Sequence, residues 1–263
     1  MEDFTITHIG DIALSLPMPF KLIPAKGKTF MFQADDGSNL GSKNEGIPKI
    51  FENDFWMCAY QTTQEFWEIV INASNFKSLK PNPSYFKGNT RPVEQVSWDD
   101  IQIFNTALNK LFQDENLTFE NGIKGKGVFG LPSETQWEHT AEAGQGLVFS
   151  GSQSLSDVGW YKENSNDQTM PVGQKHSNAL GLYDMSGNVW EWCADDYTEN
   201  ISEIPKNGQP NLKKDQYKVL RGGSCFDGAE YCRLRLRGNS RPVFRLSNSG
   251  FRLGFSPSSV HES

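Results

Sequence analysis

Residues 181–192 read GLYDMSGNVWEW, the most distinctive short stretch of the chain. Gly181 and Gly187 permit tight backbone turns. Trp190 and Trp192 stand at alternate positions, the spacing of a strand that packs one face inward. Asp184 and Glu191 bracket the backbone carbonyls of a glycine-containing turn, and hard oxygen donors so arranged suit calcium. The same residues also suit an aromatic strand whose acids only cap turns or pair with arginine. Calcium usually takes six or more oxygens, so spacing alone leaves both readings open.

Downstream the composition changes. All 17 lysines lie at or before Lys218, whereas seven of the eight arginines lie at or after Arg221. Residues 221–255, RGGSCFDGAEYCRLRLRGNSRPVFRLSNSGFRLGF, alternate those arginines with aromatic and aliphatic residues. The segment is too polar, and too rich in Gly, Ser and Pro, for an ordinary core. Arginine offers a planar fork of donors that ties an irregular loop to carboxylates or carbonyls, which lysine does poorly. Structural ion pairing is therefore one sufficient reason for the enrichment.

Upstream the pattern is more regular. Residues 27–35 (GKTFMFQAD) and 51–60 (FENDFWMCAY) are predicted strands. Thr62-Thr63 before QEFWEIV predicts a capped helix. Ser97 opens a second, with Ile101, Phe104, Leu108 and Leu111 along one face and acids in the first turn. Residues 131–138 (LPSETQWE) start a third helix, and 187–194, 217–223 and 249–255 are the remaining strand candidates. Few helices, short strands and long connections specify an α+β fold with much irregular structure.

The totals narrow the function. With 263 residues the chain can bury a substantial core, and 18 Phe, 7 Tyr and 7 Trp supply large apolar surfaces. With 24 Gly and 13 Pro spread along it, one loop-rich body is expected over 1–263. A net charge of −7 argues against broad nucleic-acid binding, which needs a basic face. The N-terminus lacks a basic region followed by a clean apolar run, so no signal peptide is expected in the sequence as written. No run reaches the length of a membrane span. Cys58, Cys193, Cys225 and Cys232 show no CxxC spacing, so buried thiols are expected and the compartment stays open.

Taken together, YQTTQEFWEIV, RPVEQVSWDD, GLPSETQWEHTAEAG, MPVGQKHSNALGLYDMSGNVWEWCADD, VLRGGS and GFRLGF resemble the formylglycine-generating-enzyme (sulfatase-modifying factor) superfamily. These stretches run in the family's order from about residue 28 to 255. The resemblance implies a fold related to C-type lectins. It also implies a structural calcium site, with Asp184 and Glu191 ligating by side chain and Gly187 and Val189 by carbonyl. In the oxidases of this family two cysteines after the GGS element bind copper. Counted from Gly222-Gly223-Ser224, the second matches Cys232, but the first falls on Asp227. Cys225 lies two residues too early, so no copper is expected and the oxidase reading becomes the alternative. Relatives of the ergothioneine type need a histidine cluster from an added helical domain. His8, His139, His176 and His261 are scattered, and each is read as a surface or packing residue.

The C-terminal segment is similar to the variable region of proteins diversified by retroelements, a second branch of the same fold. The matching frame is GGS, Cys232-Arg233, Arg237, Pro242, Arg245 and Gly250-Phe251-Arg252. In that family adenine-directed randomisation yields almost any residue except Lys, Glu, Gln, Met and Trp. Between Cys225 and Ser249 only Glu230 belongs to the excluded set. The resemblance thus implies a scaffold over 1–220 and a ligand-binding segment over 221–255, without catalysis. Arg233, Arg237, Arg245 and Arg252 are expected to face inward or sideways, their guanidiniums held by backbone carbonyls and acids, with Pro242 and Gly250 fixing bends. Phe226, Asp227, Tyr231, Leu234, Leu236, Gly238, Asn239, Ser240, Arg241, Phe244, Leu246, Ser247 and Asn248 are expected to be displayed. Leu234, Leu236 and Leu246 fit a core role equally well. Large rigid rings beside short polar side chains suit protein recognition, as in antibody loops. A protein ligand is therefore expected and a glycan is the alternative, although no EPN or QPD sugar motif is present. A monomer is the default, and the location is left open.

Overall fold

The computed structural model describes residues 1–33, 46–74, 76, 78–121, 127–213 and 215–257. Its first element is a long antiparallel hairpin, β1 (Phe4–Ile9) with β2 (Ile12–Ile23), that the sequence pattern did not reveal. Phe4, Ile6 and Ile9 are all buried, yet their spacing breaks strict alternation. A register shift between Ile6 and His8 rotates the strand and returns Ile9 to the core.

The short strands β3 (Thr29–Phe32) and β4 (Ile47–Ile50) pair with each other. The predicted strand 27–35 thus contributes only its centre, and residues 34 and 35 lie outside the described residues. Next come β5 (Phe55–Cys58), β6 (Leu117–Glu120), β7 (Gly127–Gly130) and, near the C-terminus, β12 (Gly254–Pro257). They complete a six-stranded sheet in the order β6-β1-β2-β5-β12-β7.

Helices α1 (Gln64–Ala73) and α2 (Trp98–Gln113) cover this sheet. Thr63 caps α1 by accepting from the Phe66 amide, and Ser97 with Asp100 forms a reciprocal capping box on α2. Their apolar stripes meet the sheet's aromatic face. Trp67 stacks on Phe104 with centroids 4.7 Å apart, and Phe4 stacks on Phe20 at the same spacing. Each fully buried ring contributes roughly 1.5–3 kcal/mol relative to exposure.

The third predicted helix is α3 (Glu134–Glu142), again boxed by Ser133 and Gln136, and a single turn, α4 (Leu155–Val158), follows. A second sheet, ordered β10-β9-β8-β11, is built from β8 (Trp190–Asp196), β9 (Lys218–Arg221), β10 (Arg237–Ser240) and β11 (Ser249–Gly250). β9 stops short of the expected 217–223 because Gly222 (φ 95°) and Gly223 (φ 72°) take left-handed backbone. The expected strand 249–255 is two strands. β11 runs parallel to β8, β12 enters the other sheet, and Phe251, Arg252 and Leu253 cross the interior between them. Gly250 makes no bend. A Cβ there would stand 2.3 Å from the Val93 carbonyl oxygen, so the site requires close backbone approach. Among the described residues no helix is long and apolar enough to cross a membrane.

Candidate ligand-binding surface

The arginine frame is the base of the surface. Arg237 is buried and forks onto Glu134, with Nε 2.7 Å from Oε1 and Nη2 2.8 Å from Oε2, while Nη1 donates to the Thr198 carbonyl. Arg245 forks onto Asp100 at 2.7 Å through Nε and 2.7 Å through Nη2, tying the segment to the start of α2. Arg252 is fully buried. It grips Glu191 twice at 2.7 Å and donates to the carbonyls of Cys58, Ala59 and Tyr183. Arg233 makes a shallower contact, from Nε to the Glu230 carbonyl.

Arg221 was not singled out from sequence, yet it joins the frame to α3. Its guanidinium donates to Glu134 at 2.7 Å, to Glu138 at 2.8 Å and to the Leu234 carbonyl at 2.7 Å, and lies 5.0 Å from the Trp137 ring centre. The available signal was Glu134 and Glu138 at i, i+4, on one helix face. Burial alone would raise both carboxyls. At Glu134 the Arg237 and Arg221 charges outweigh it and hold the group below its ordinary range, whereas at Glu138 burial prevails and the shift is upward.

On this frame the predicted display residues separate. Tyr231, Asn239, Arg241, Phe244 and Leu246 are exposed, and Phe226, Ser240, Ser247 and Asn248 are half-buried. Leu234 and Leu236 are corrected to core residues, at 1% and 5% exposure. Leu234 packs in the cluster of Phe30, Met57 and Trp137, where a displayed position would leave a void. Gly238 is half-buried, and a Cβ there would press on the Trp190 ring at 3.0 Å, so any side chain at this position must displace that ring slightly. Asp227 turns inward. Its carboxylate accepts from Trp190 Nε1 at 2.8 Å and from the Ser224 hydroxyl.

Several scaffold residues escaped the sequence reading and belong to the surface. Trp190 packs beside Gly238, donates from its indole to Asp227, and donates its backbone amide to the Asn248 carbonyl. Tyr85, 69% exposed, leads through Phe86 to Phe226, with ring centres 4.9 Å and then 6.0 Å apart. Glu94 holds that loop by accepting from the Phe86 amide at 2.8 Å, and burial raises its carboxyl to about 7. The Gln95 amide donates to the Leu246 carbonyl, and the Asp99 amide to that of Pro242. These contacts are backbone-directed, so the sequence carries little trace of them.

The calcium set converges, but in a different form. Asp184 contributes its carbonyl, and its carboxylate instead accepts from the Gly173 amide at 2.7 Å. With the carbonyls of Gly187 and Val189 and the Glu191 Oε1 it surrounds the side-chain nitrogen of Gln61. These residues do not fit calcium. Four oxygens fall short of the usual six to eight, an amide group stands at their centre, and Arg252 already neutralises Glu191.

All four cysteines are free and buried. Burial raises the Cys225 thiol to about 12 and moves Cys232 in the same direction, so both are protonated near neutrality. The Cys232 thiol points at the Ser224 carbonyl. His139 packs against the rings of Phe30 and Phe51, and His261 lies outside the described residues.

Comparisons with known proteins agree with this architecture. Chaperone protein LppX of Paenibacillus barcinonensis is 32% identical over 201 residues, covering 59% of this chain and 69% of that protein. The mouse formylglycine-generating enzyme is 28% identical over 207 residues, and this match spans 71% of the chain but only half of the enzyme. Among solved structures, Treponema denticola variable protein 1 superposes with a TM-score of 0.76 at 26% identity, covering 97% of this chain and 99% of that one. With residues 25–255 matching the sulfatase-modifying factor enzyme 1-like domain, the chain belongs to the FGE-sulfatase family and has its C-type-lectin-like fold.

Proposed function

We propose that the chain is a ligand-binding protein of the receptor or adhesion type, displaying diversified side chains on this scaffold. Residues 1–220 form the scaffold and 221–255 carry the display, within one domain. One observation carries the reading. The guanidiniums of Arg221, Arg237, Arg245 and Arg252 are held by Glu134, Glu138, Asp100, Glu191 and backbone carbonyls, so these hydrogen bonds do not involve the side chains of Tyr231, Asn239, Arg241, Phe244 or Leu246. The similarity to a protein named as variable supports it. Tyr231 and Phe244 supply rigid anchors and Arg241 a central charged fork, the residue types that dominate interface energies. A protein ligand fits these anchors better than a glycan does.

The test is a library of the full chain randomised at Tyr231, Asn239, Arg241, Phe244, Ser247 and Asn248. Most clones should melt within about 3 °C of the parent, since exposed substitutions cost little. Selection against unrelated proteins should yield binders. A matched library at Leu234 and Leu236 should mostly fail to fold. Widespread unfolding in the first library would refute the reading. A near-copy of the 3′ coding segment beside a reverse transcriptase, differing at adenines, would establish natural diversification.

The oxidase alternative rests on the similarity to the mouse enzyme. It predicts that copper-loaded protein converts the cysteine of a sulfatase peptide to an aldehyde. We expect no conversion, because Asp227 at the first cysteine position is committed to Trp190 and Ser224.

A further inference from the structure

Gln61 lies between β5 and α1, and its side chain is fully buried. Its amide nitrogen is 3.1 Å from the Asp184 carbonyl, 3.3 Å from that of Gly187, 3.1 Å from that of Val189 and 3.0 Å from Glu191 Oε1. An amide nitrogen carries two protons, so four acceptors share two donors. Every neighbour is an acceptor, which dictates that the nitrogen, not the oxygen, points inward. The amide oxygen faces away and has no hydrogen-bond partner among the described residues.

The charge balance matches this choice. Glu191 is gripped twice by Arg252 and also accepts from Trp137 Nε1 at 2.7 Å. Arg252 thus already balances Glu191, and with the buried Asp184 carboxylate close by, a neutral amide donor fills the cage without adding charge to the interior. The turn it closes, residues 184–189, leads directly into Trp190, whose indole donates to Asp227.

We propose that Gln61 takes the place of a structural cation, and that its amide closes the oxygen cage and makes the fold independent of calcium. The inference does not rest on the ligand-binding reading, and its test needs no ligand. Wild-type protein and the Gln61→Glu variant would be melted in chelator and in millimolar calcium. The wild type should give the same melting temperature in both and retain no stoichiometric metal after dialysis. Q61E turns oxygen toward oxygen. It should melt lower in chelator, by on the order of 5–10 °C, and recover in calcium, because the added carboxylate supplies both the missing donor and the missing charge.

A wild type that loses stability on chelation would overturn the proposal. So would a Q61E chain as stable as the wild type without calcium, because the amide nitrogen would then not be the donor at the centre. A folded Q61E chain indifferent to calcium would reduce the cage to an ordinary hydrogen-bond site. If Q61E does not fold, the wild-type melting and metal analysis decide the question alone.

Discussion

Replacing Arg221 by alanine should lower the melting temperature by about 10 °C, although the residue touches no exposed part of the binding surface. The guanidinium is wholly buried between Glu134 and Glu138 and also holds the Leu234 carbonyl. Removing it leaves Glu134 to Arg237, but strands Glu138, which keeps a hydrogen bond from the Gln33 amide and loses its Arg221 partner. Breaking a buried pair from one side costs about 3–5 kcal/mol, because the surviving charge keeps its desolvation penalty without its partner. For a chain of this size that corresponds to roughly 10 °C.

Lysine should not restore the loss, since one ammonium cannot fork between two carboxylates and a carbonyl. Adding Glu138→Gln to the alanine variant should recover part of it, because the stranded charge is removed. Arg241→Ala supplies the contrast. That side chain is exposed, with its guanidinium 5.9 Å from the Tyr217 ring centre, and its loss should leave the melting temperature within about 1 °C. Equal effects at Arg221 and Arg241, measured by calorimetry, would contradict the division into frame and display.

The second large effect concerns pH. Burial raises Glu94 and Asp195 to about 7, from ordinary values near 4. Glu134 lies near enough to Asp195 to add to that shift. A carboxyl with a raised folded-state pKa binds its proton more tightly folded than unfolded. Its contribution to stability is complete below about pH 4 and is lost as the pH climbs through 7. Each pKa unit corresponds to about 1.4 kcal/mol, so the loss amounts to several kcal/mol even when only part of the shift is realised. Glu134 and Asp100 run the opposite way. Arginine holds each below its ordinary value against the cost of burial, so their contribution disappears when the medium is acidified below about pH 4.

Stability should therefore peak near pH 5 and decline by about 5–10 °C toward pH 8.5. Melting curves across that range would show it, and a profile rising steadily from pH 5 to 8.5 would refute it. Glu94→Gln should flatten the decline. The amide keeps an oxygen for the Phe86 N–H, and the position it alters, Oε2, has no hydrogen-bond partner among the described residues. Because Glu94 positions the loop that brings Phe86 against Phe226, the same titration should loosen the aromatic flank of the binding surface.

Much of the fold was legible from local chemistry. Thr63, Ser97 and Ser133 start α1, α2 and α3 because each offers a side-chain acceptor to the first turn, and that signal is written within four residues. Of the expected frame, Arg237 and Arg252 turn inward, while Arg233 and Arg245 lie sideways at the surface, Arg245 reaching Asp100 from an exposed position. The long N-terminal hairpin was missed because its register shift hides the period that marks a strand. Within the candidate site, Leu234 and Leu246 have identical side chains and similar neighbours in sequence, yet one is in the core and the other is exposed.

The sequence by itself determined the family's architecture, the helix starts and the presence of an arginine frame, because these depend on spacing and side-chain type. Only the tertiary structure decided which carboxylate each arginine meets, which leucines are displayed, and that Gln61 fills the centre of the oxygen cage. Those outcomes depend on backbone carbonyls and distant segments converging on one point. Such convergence is a property of three-dimensional packing that no local pattern encodes.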